Sequence, residues 1–409
     1  MTDIQTYRQE MMDELTQILN YWLTHTIDVK YGGFYGRIDE NGVTDETAPK
    51  GSVLNSRILW AFSAGYLMTH NDEYLKTATR VFKYILDNFK DKQYGGVYWS
   101  LTAEGKPLQT RKQMYALAFC MYGVSEYYKA TQDERALNFS KELFQLLEIH
   151  SFDKKNLGYI EAASREWQPL EDVRLSAKDN NEKKTMNTHL HIIEAYANFY
   201  RIYPEVFVKL QIENLLSVFE QYIINHQHHH LNLFMDEHWT LKSNLISYGH
   251  DIEAAWLLCE AAASIQNHDW INRMNNWSLK ITQASLEGLD KDGGLWYEYE
   301  PGDNYLVKEK HSWPQAEAMV GFMNAYELTN DEKYLQLSYQ SWKFVKQYIK
   351  DQQEGEWYWG IEADGSPMKG QDKIGFWKCP YHNSRACIEV INRINKLVSI
   401  NHNTLISSI

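Results

Sequence analysis

His189, His191, His250 and His382 stand near the starts of segments otherwise built from Ala, Leu, Ile and Phe, at places that repeat along the chain. Polar residues open the other apolar segments in the same way: Arg57, then Gln113 and Tyr115, Asn187 beside the first two histidines, Trp313 with Glu317, and Arg385 after His382. Histidine titrates nearest neutrality. Two imidazoles on opposite walls of one pocket could therefore take a proton from one face of a carbon and return it to the other. Arg57, always charged, and the free N–H groups of helix N-termini would steady a developing oxyanion. Glu253, three residues after His250, is expected to hold that imidazole in one orientation. His189 and His191 are two residues apart and cannot share a helix face, so at most one should point at the pocket. Any one of these histidines could be a capping or core side chain; their return at equivalent places is what argues for chemistry.

Such positions need a repeating scaffold. The phrase Tyr31-Gly-Gly-Phe-Tyr-Gly36 returns as Tyr94-Gly-Gly-Val-Tyr-Trp99, Asn156-Leu-Gly-Tyr-Ile-Glu161, a degenerate Leu231-Asn-Leu-Phe-Met-Asp236, Asp292-Gly-Gly-Leu-Trp-Tyr-Glu298 and Gly355-Glu-Trp-Tyr-Trp-Gly360. The steps of about 61 to 76 residues leave room for two helices and a hairpin-like loop. Hydrophobic periodicity fills them with an inner helix, apolar all round, followed by a half-exposed outer one. The pairs are Asn55–Thr69 with Asn71–Asn88, Gln113–Lys129 with Asp133–Ile149, His189–Tyr203 with Pro204–Ile224, His250–Ser264 with Asp269–Leu286, and Pro314–Leu328 with Asp331–Lys350. An opening helix over residues 5–25 and a closing one, Asn383–Leu397, lack sequence partners, so they pair with each other. The expectation is an all-α (α/α)6 barrel of six inner and six outer helices, a single domain over residues 1–409. Turn signals at Asn41-Gly42, Glu104-Gly105 and Asp364-Gly365 add short β-hairpins on one rim.

Composition narrows the partners. A net charge of −13, with Lys and Arg scattered rather than striped, argues against nucleic acid. No run of about 18 apolar residues exists to cross a membrane, and the N-terminus lacks a signal-like apolar region. Four cysteines without paired or metal-like spacing suit a reduced, cytoplasmic protein, expected to act as a monomer or weak homo-oligomer. Aromatics at 14% exceed what a core needs and suit planar or sugar-like ligands, although most of the rings are expected to pack between helices. The pocket histidines with Glu253 could in principle hold zinc, but a metal-site spacing is missing, as is a phosphate-cradling loop, so neither metal nor cofactor is expected. The tract His226-Gln-His-His-His230 reads as the end of an outer helix, remote from the pocket and without a function there.

Asn55-Ser-Arg-Ile-Leu-Trp-Ala-Phe62, Met186-Asn-Thr-His-Leu-His-Ile-Ile-Glu-Ala-Tyr196, Tyr248-Gly-His-Asp-Ile-Glu-Ala-Ala-Trp256, Trp313-Pro-Gln-Ala-Glu-Ala318 and Trp377-Lys-Cys-Pro-Tyr-His382 resemble the N-acylglucosamine 2-epimerase superfamily, from about residue 10 to residue 395. The insert Trp167–Lys178 is similar to its disaccharide-converting branch. The resemblance implies cofactor-independent conversion of a 4-O-linked reducing-end glucose to mannose, as in cellobiose to glucosyl-mannose or lactose to epilactose. His250 and His382 would then be the acid/base pair at C2, acting through an enediolate. His191, Arg57 and Asn187 would hold the open-chain oxygens, with Glu253 supporting His250, Trp313 and Trp377 stacking on sugar rings, and Tyr115 a further contact. Where the family often has a second Trp before Trp313 this chain has Ser312, which leaves the packing behind that ring open.

Two other enzymes fit the same pattern: a 2-epimerase or aldose–ketose isomerase of free monosaccharides such as mannose, and an inverting glycoside hydrolase using Glu253 and Glu317. A sugar-binding barrel without turnover is the non-catalytic alternative. The insert over residues 165–185, rich in Lys, Asp and Asn, reads either as a lid over substrate or as a solvated loop.

Overall fold

The computed structural model describes residues 3–407. Among them, six inner helices, α2 (Ser52–Thr69), α4 (Met114–Thr131), α6 (Met186–Tyr200), α8 (Tyr248–Ser264), α10 (Ser312–Thr329) and α12 (His382–Ser407), stand in a ring. Outside them pack α1 (Ile4–His25), α3 (Asp72–Tyr84), α5 (Glu134–His150), α7 (Val206–Val218), α9 (His268–Ser285) and α11 (Glu332–Phe344). The inner helices are apolar on all sides because protein surrounds them: α2 buries every residue from Ser52 to Gly65. Outer helices bury one stripe, such as Tyr74, Ala78, Val81 and Phe82 of α3. Neighbouring inner helices approach closely where glycine allows it. A Cβ on Gly123 of α4 would lie 2.5 Å from the Ser56 carbonyl oxygen of α2. Helix α1 packs on α12 and α12 contacts α2, so the two ends of the chain meet and the (α/α)6 ring closes.

Boundaries differ from the periodicity in an instructive way. The first turns of α2, α6, α8 and α10 begin two or three residues earlier than the apolar stripe suggests, and Pro314 lies within the first turn of α10, where its missing N–H costs nothing. Helices α3, α7 and α11 each end in a π turn, at Ile85–Phe89, Phe219–Ile223 and Val345–Ile349, a winding that apolar spacing does not report.

Each aromatic-glycine phrase folds back on the end of an outer helix through one antiparallel bridge: Ile27 with Phe34, Lys90 with Val97, Phe152 with Tyr159, Ile224 with Leu231, Leu289 with Leu295 and Lys350 with Trp357. The fourth bridge shows that the degenerate phrase is displaced in the sequence reading. Leu231 matches Phe34, so His229 and His230 occupy the place of the two glycines, and the histidine tract is the phrase turn itself, on the rim where the inner helices start. Two-residue strands entering the inner helices pair with the next unit, as Lys50–Gly51 with Ser100–Leu101 and Lys112–Gln113 with Ala162–Ala163. Reciprocal backbone bonds between Ile38 and Ile374, 2.9 and 3.1 Å, join the last unit to the first. The expected hairpins form around Gly42, Gly105 and Gly365, all with positive φ.

An ion pair made by a buried lysine ties the phrase turn to the segment leading into the inner helix in most units: Lys50–Asp28 at 2.6 Å, Lys112–Asp91 at 2.9 Å, Lys184–Asp153 at 2.9 Å, Lys310–Asp290 at 2.7 Å and Lys373–Asp351 at 2.5 Å. The fourth unit has Asn225 and Ile246 at these places, so both charges are lost together. That is the physically cheap change, since a single unpaired buried charge is what costs several kcal/mol.

Candidate active site

On the rim formed by the inner-helix N-termini opens a cavity of about 790 Å3, and Arg57, Tyr115, Asn187, His191, His250, Glu253, Trp313, Trp377 and His382 all line it. The ring geometry explains why. Arg57, Phe119, His191, Glu253 and Glu317 are each the sixth residue of their inner helix, and Arg385 completes the layer from α12. Six helices starting at one level thus project six side chains at the axis.

Half of this layer is aromatic and cationic. The Arg57 guanidinium lies 4.1 Å over the Phe119 ring and 4.8 Å over Tyr381, and its Nη2 donates to the Tyr115 hydroxyl at 2.8 Å. His191 donates from Nδ1 to Glu194 Oε2 at 2.9 Å. The other half is a charge cluster centred on Arg385. Its Nη2 donates to Glu253 Oε1 and to Glu317 Oε1, both at 2.6 Å, and its Nη1 to Glu194 and to the Tyr381 hydroxyl. Tyr381 in turn donates to Glu194 at 2.6 Å.

The two rim histidines flank one indole. His250 and Trp313 have ring centroids 4.7 Å apart, and Trp313 and His382 5.6 Å. His382 Nδ1 bonds Glu317 Oε1 at 2.7 Å, while His250 Nδ1 bonds Ser247 Oγ at 2.8 Å. Glu253 is therefore not the partner of His250, contrary to the expectation from their spacing. The imidazole turns back to the residue before the helix, while the carboxylate points to the axis, bonding Arg385 and lying 3.9 Å from His382 Nδ1. Trp313 is backed by Gly249, where a Cβ would come within 2.6 Å of the ring, and the N–H of Ser312 donates to the Trp359 carbonyl at 2.8 Å. Trp377 sits among Trp99, Tyr115 and Phe376. Asn187 lines the cavity, and its Oδ1 is buried with no hydrogen-bond partner.

Burial sets the protonation states. It lowers the His250 pKa to about 3, with His191 adding to the effect and Glu317 opposing it. His382 is held well below its ordinary value by burial, then by Arg57, Arg385 and His191. Glu253 is pushed up by burial and by repulsion from Glu317, against Arg385, and Glu317 is raised by burial. Between them the pair keeps a proton near neutrality, next to His382. Glu194 is the opposite case: burial pushes it up, but Arg385, His191 and Tyr381 outweigh this and hold it at about 2.

Glu253, Glu317 and His382 bring three donor atoms within 4.8 Å of one another. The Arg385 guanidinium already occupies the cation position on both carboxylates, so these donors do not offer a metal a free site. His189 faces away from the cavity. Its Nδ1 bonds the Thr185 carbonyl at 2.6 Å and its Nε2 accepts the Tyr159 N–H at 2.8 Å, pegging α6 to its phrase turn. Segment 173–180 of the insert forms part of the cavity wall, and Gln113 donates to the carbonyls of Val173 and Arg174 at 3.3 and 3.1 Å. Sequence reasoning gave no role to Glu194, Tyr381 or Glu161. A signal existed for the first: His191, His250 and His382 are each followed three residues later by a charged residue, Glu194, Glu253 and Arg385.

An (α/α)6 barrel whose inner-helix rim carries this histidine, arginine and glutamate layer belongs to the N-acylglucosamine 2-epimerase (GlcNAc 2-epimerase) family, whose model matches residues 33–386. Within it, the chain is 46% identical over 385 residues to a cellobiose 2-epimerase of Bacteroides fragilis, covering 94% of this chain and 98% of that one. The solved cellobiose 2-epimerase of Bacillus thermoamylovorans is 39% identical and superposes with a TM-score of 0.91 over 95% of this chain and all of that one. A D-mannose isomerase of Marinomonas mediterranea is more distant, 24% identical over 89% of this chain and 92% of its own. No helix among the described residues is long and apolar enough to cross a membrane.

Proposed function

We propose that this chain is a cellobiose 2-epimerase, an isomerase that interconverts glucose and mannose at the reducing end of β-1,4-linked disaccharides. The observation that carries the mechanism is the placement of His250 and His382 on either side of Trp313, at the mouth of one cavity. A sugar ring on the Trp313 face puts C2 of the opened chain between two imidazoles.

His250, neutral in its buried setting and engaged on Nδ1 by Ser247, offers Nε2 as the base that takes the C2 proton. The electron pair moves onto the aldehyde oxygen, giving an enediolate. Arg57 and His191 lie on the wall where that charge develops, and Asn187 lines the same wall. The proton retained by the Glu253–Glu317 pair reaches C2 through His382, on the opposite face. The C2 configuration inverts and one proton has passed from the His382 side to His250. The reverse reaction exchanges the roles.

Hydrolysis by Glu253 and Glu317 is poorly served by the same geometry. Both carboxylates bond one nitrogen of Arg385 and their nearest oxygens lie within 4.8 Å, whereas inverting glycosidases separate the two by about 6.5–9.5 Å to admit water. The decisive experiment is to incubate EDTA-treated protein with cellobiose in deuterium oxide and follow the products by NMR. Glucosyl-mannose carrying deuterium at C2 is expected, absent in His250→Asn and His382→Asn. Free glucose would support hydrolysis instead, and turnover of free mannose with cellobiose untouched would support the monosaccharide isomerase.

A further inference from the structure

The phrase turns carry a pattern that the catalytic scheme leaves unused. In the first three units the second turn residue is Gly33, Gly96 or Gly158, with φ of +65°, +70° and +74°, and in the fifth it is Gly294. In the fourth and sixth it is His230 and Glu356. Glu356 keeps the left-handed conformation, φ +61°, which costs a residue with a Cβ roughly 1–2 kcal/mol. These two units are the ones whose inner helices carry His250 and His382.

Each side chain grips the residue that follows its histidine. His230 Nδ1 donates to Asp251 Oδ2 at 2.7 Å, and Asp251 Oδ1 accepts the Leu231 N–H of the same turn at 2.9 Å. Glu356 Oε1 accepts from Asn383 Nδ2 at 2.7 Å and Lys378 Nζ at 3.0 Å, while Oε2 accepts the Trp22 indole N–H at 2.6 Å. In the third and fifth units the inner helix bonds only the backbone of the turn, as where Gln315 Oε1 accepts the Leu295 N–H at 2.8 Å. The Nδ1 bonds to Ser247 and Glu317 set the rotation of the two imidazoles but do not fix where the first helical turn stands, and α8 has no side-chain cap to do so.

We infer that His230 and Glu356 are positioning residues, one for each face of C2, which lock Asp251 and Asn383 so that the adjacent His250 and His382 stand at proton-transfer distance. The backbone strain at Glu356 is then the cost of placing a side chain where four of the six units have glycine. This rests on the reading of His250 and His382 as the proton-transfer pair.

The test uses His230→Ala and Glu356→Gly with glucose-type and mannose-type disaccharides deuterated at C2. Misplacing a reacting group by a fraction of an ångström to an ångström costs on the order of 10- to 100-fold, so kcat should fall by that much with KM within about twofold. One variant should raise the primary isotope effect on the glucose-type substrate and lower it on the mannose-type, and the other should do the reverse, because each slows proton transfer on one face. His230→Gln and Glu356→Gln, which keep the side-chain bulk, should show the same opposed shifts to a smaller degree, and they carry the test if the truncated proteins do not fold. Wild-type kcat in the variants, or equal shifts in both isotope effects alongside a lower melting temperature, would overturn the inference. Wild-type enzyme that incorporates no solvent deuterium at C2 would instead remove the reading on which it rests.

Discussion

Arg385→Met removes the cation around which the site is built. The guanidinium is 1% exposed and serves Glu194, Glu253 and Glu317 at once. One charge pair at about 4 Å contributes roughly 4 kcal/mol at an effective dielectric of about 20. Repulsion among the three carboxylates and the burial of every partner offset part of that, and removing one partner of a buried pair generally costs about 3–5 kcal/mol. That is the loss expected in equilibrium urea unfolding at pH 7. The pH dependence has a sign. In the wild type Glu194 titrates at about 2, below its ordinary 4.5, so its contribution is complete above pH 4.5 and lost as the pH falls toward 2. Without Arg385 the folded state holds protons on these carboxyls above the pH at which the unfolded chain releases them. The stability of the variant should therefore fall more steeply than that of the wild type as pH rises through neutrality. A double-mutant cycle with Glu317→Gln should recover part of the loss, because it removes one of the stranded charges. A loss below about 1 kcal/mol, or a difference that does not change with pH, would refute the claim that Arg385 compensates the cluster.

Replacing Lys50 by Ile should cost about 3 kcal/mol or more by stranding Asp28, while Lys50→Ile with Asp28→Asn, the pair that the fourth unit carries as Ile246 and Asn225, should recover most of it in urea unfolding. Glu161, buried and accepting from Thr185 and Thr188, is pushed by burial to about 8, above its ordinary 4.5, so it lowers stability progressively as pH rises from about 4.5 to 8. Glu161→Gln should therefore leave the melting temperature little changed at pH 5 and raise it at pH 8. Because His250 is already neutral above about pH 3, kcat/KM should show no acid limb near 6.5, the ordinary histidine value; such a limb in the wild-type profile would contradict the assigned protonation state.

The helical repeat was legible because its causes are local. Apolar side chains at 3.6-residue spacing, all-round hydrophobicity in every second helix and a returning aromatic-glycine phrase are properties of short segments, and they led to the ring and to the rim. The candidate site was legible in the same terms, to the extent that Arg57, His191, His250, Glu253 and His382 stand near the starts of apolar helices and line one cavity. Which partner each would take was not. Spacing alone assigned Glu253 to His250, yet the closed barrel sets Arg385, 132 residues away in sequence, between Glu253 and Glu317. The histidine tract read as a helix end because Leu231 aligned well enough with the phrase; only the bridge from Ile224 to Leu231 places His230 in the turn, beside Asp251. Helical periodicity fixes the face on which a side chain lies. The ion pairs across the axis depend on how six helices are staggered around it, and that stagger is set by contacts such as Gly123 on Ser56 and by the Ile38–Ile374 seam, which act between residues far apart in the chain.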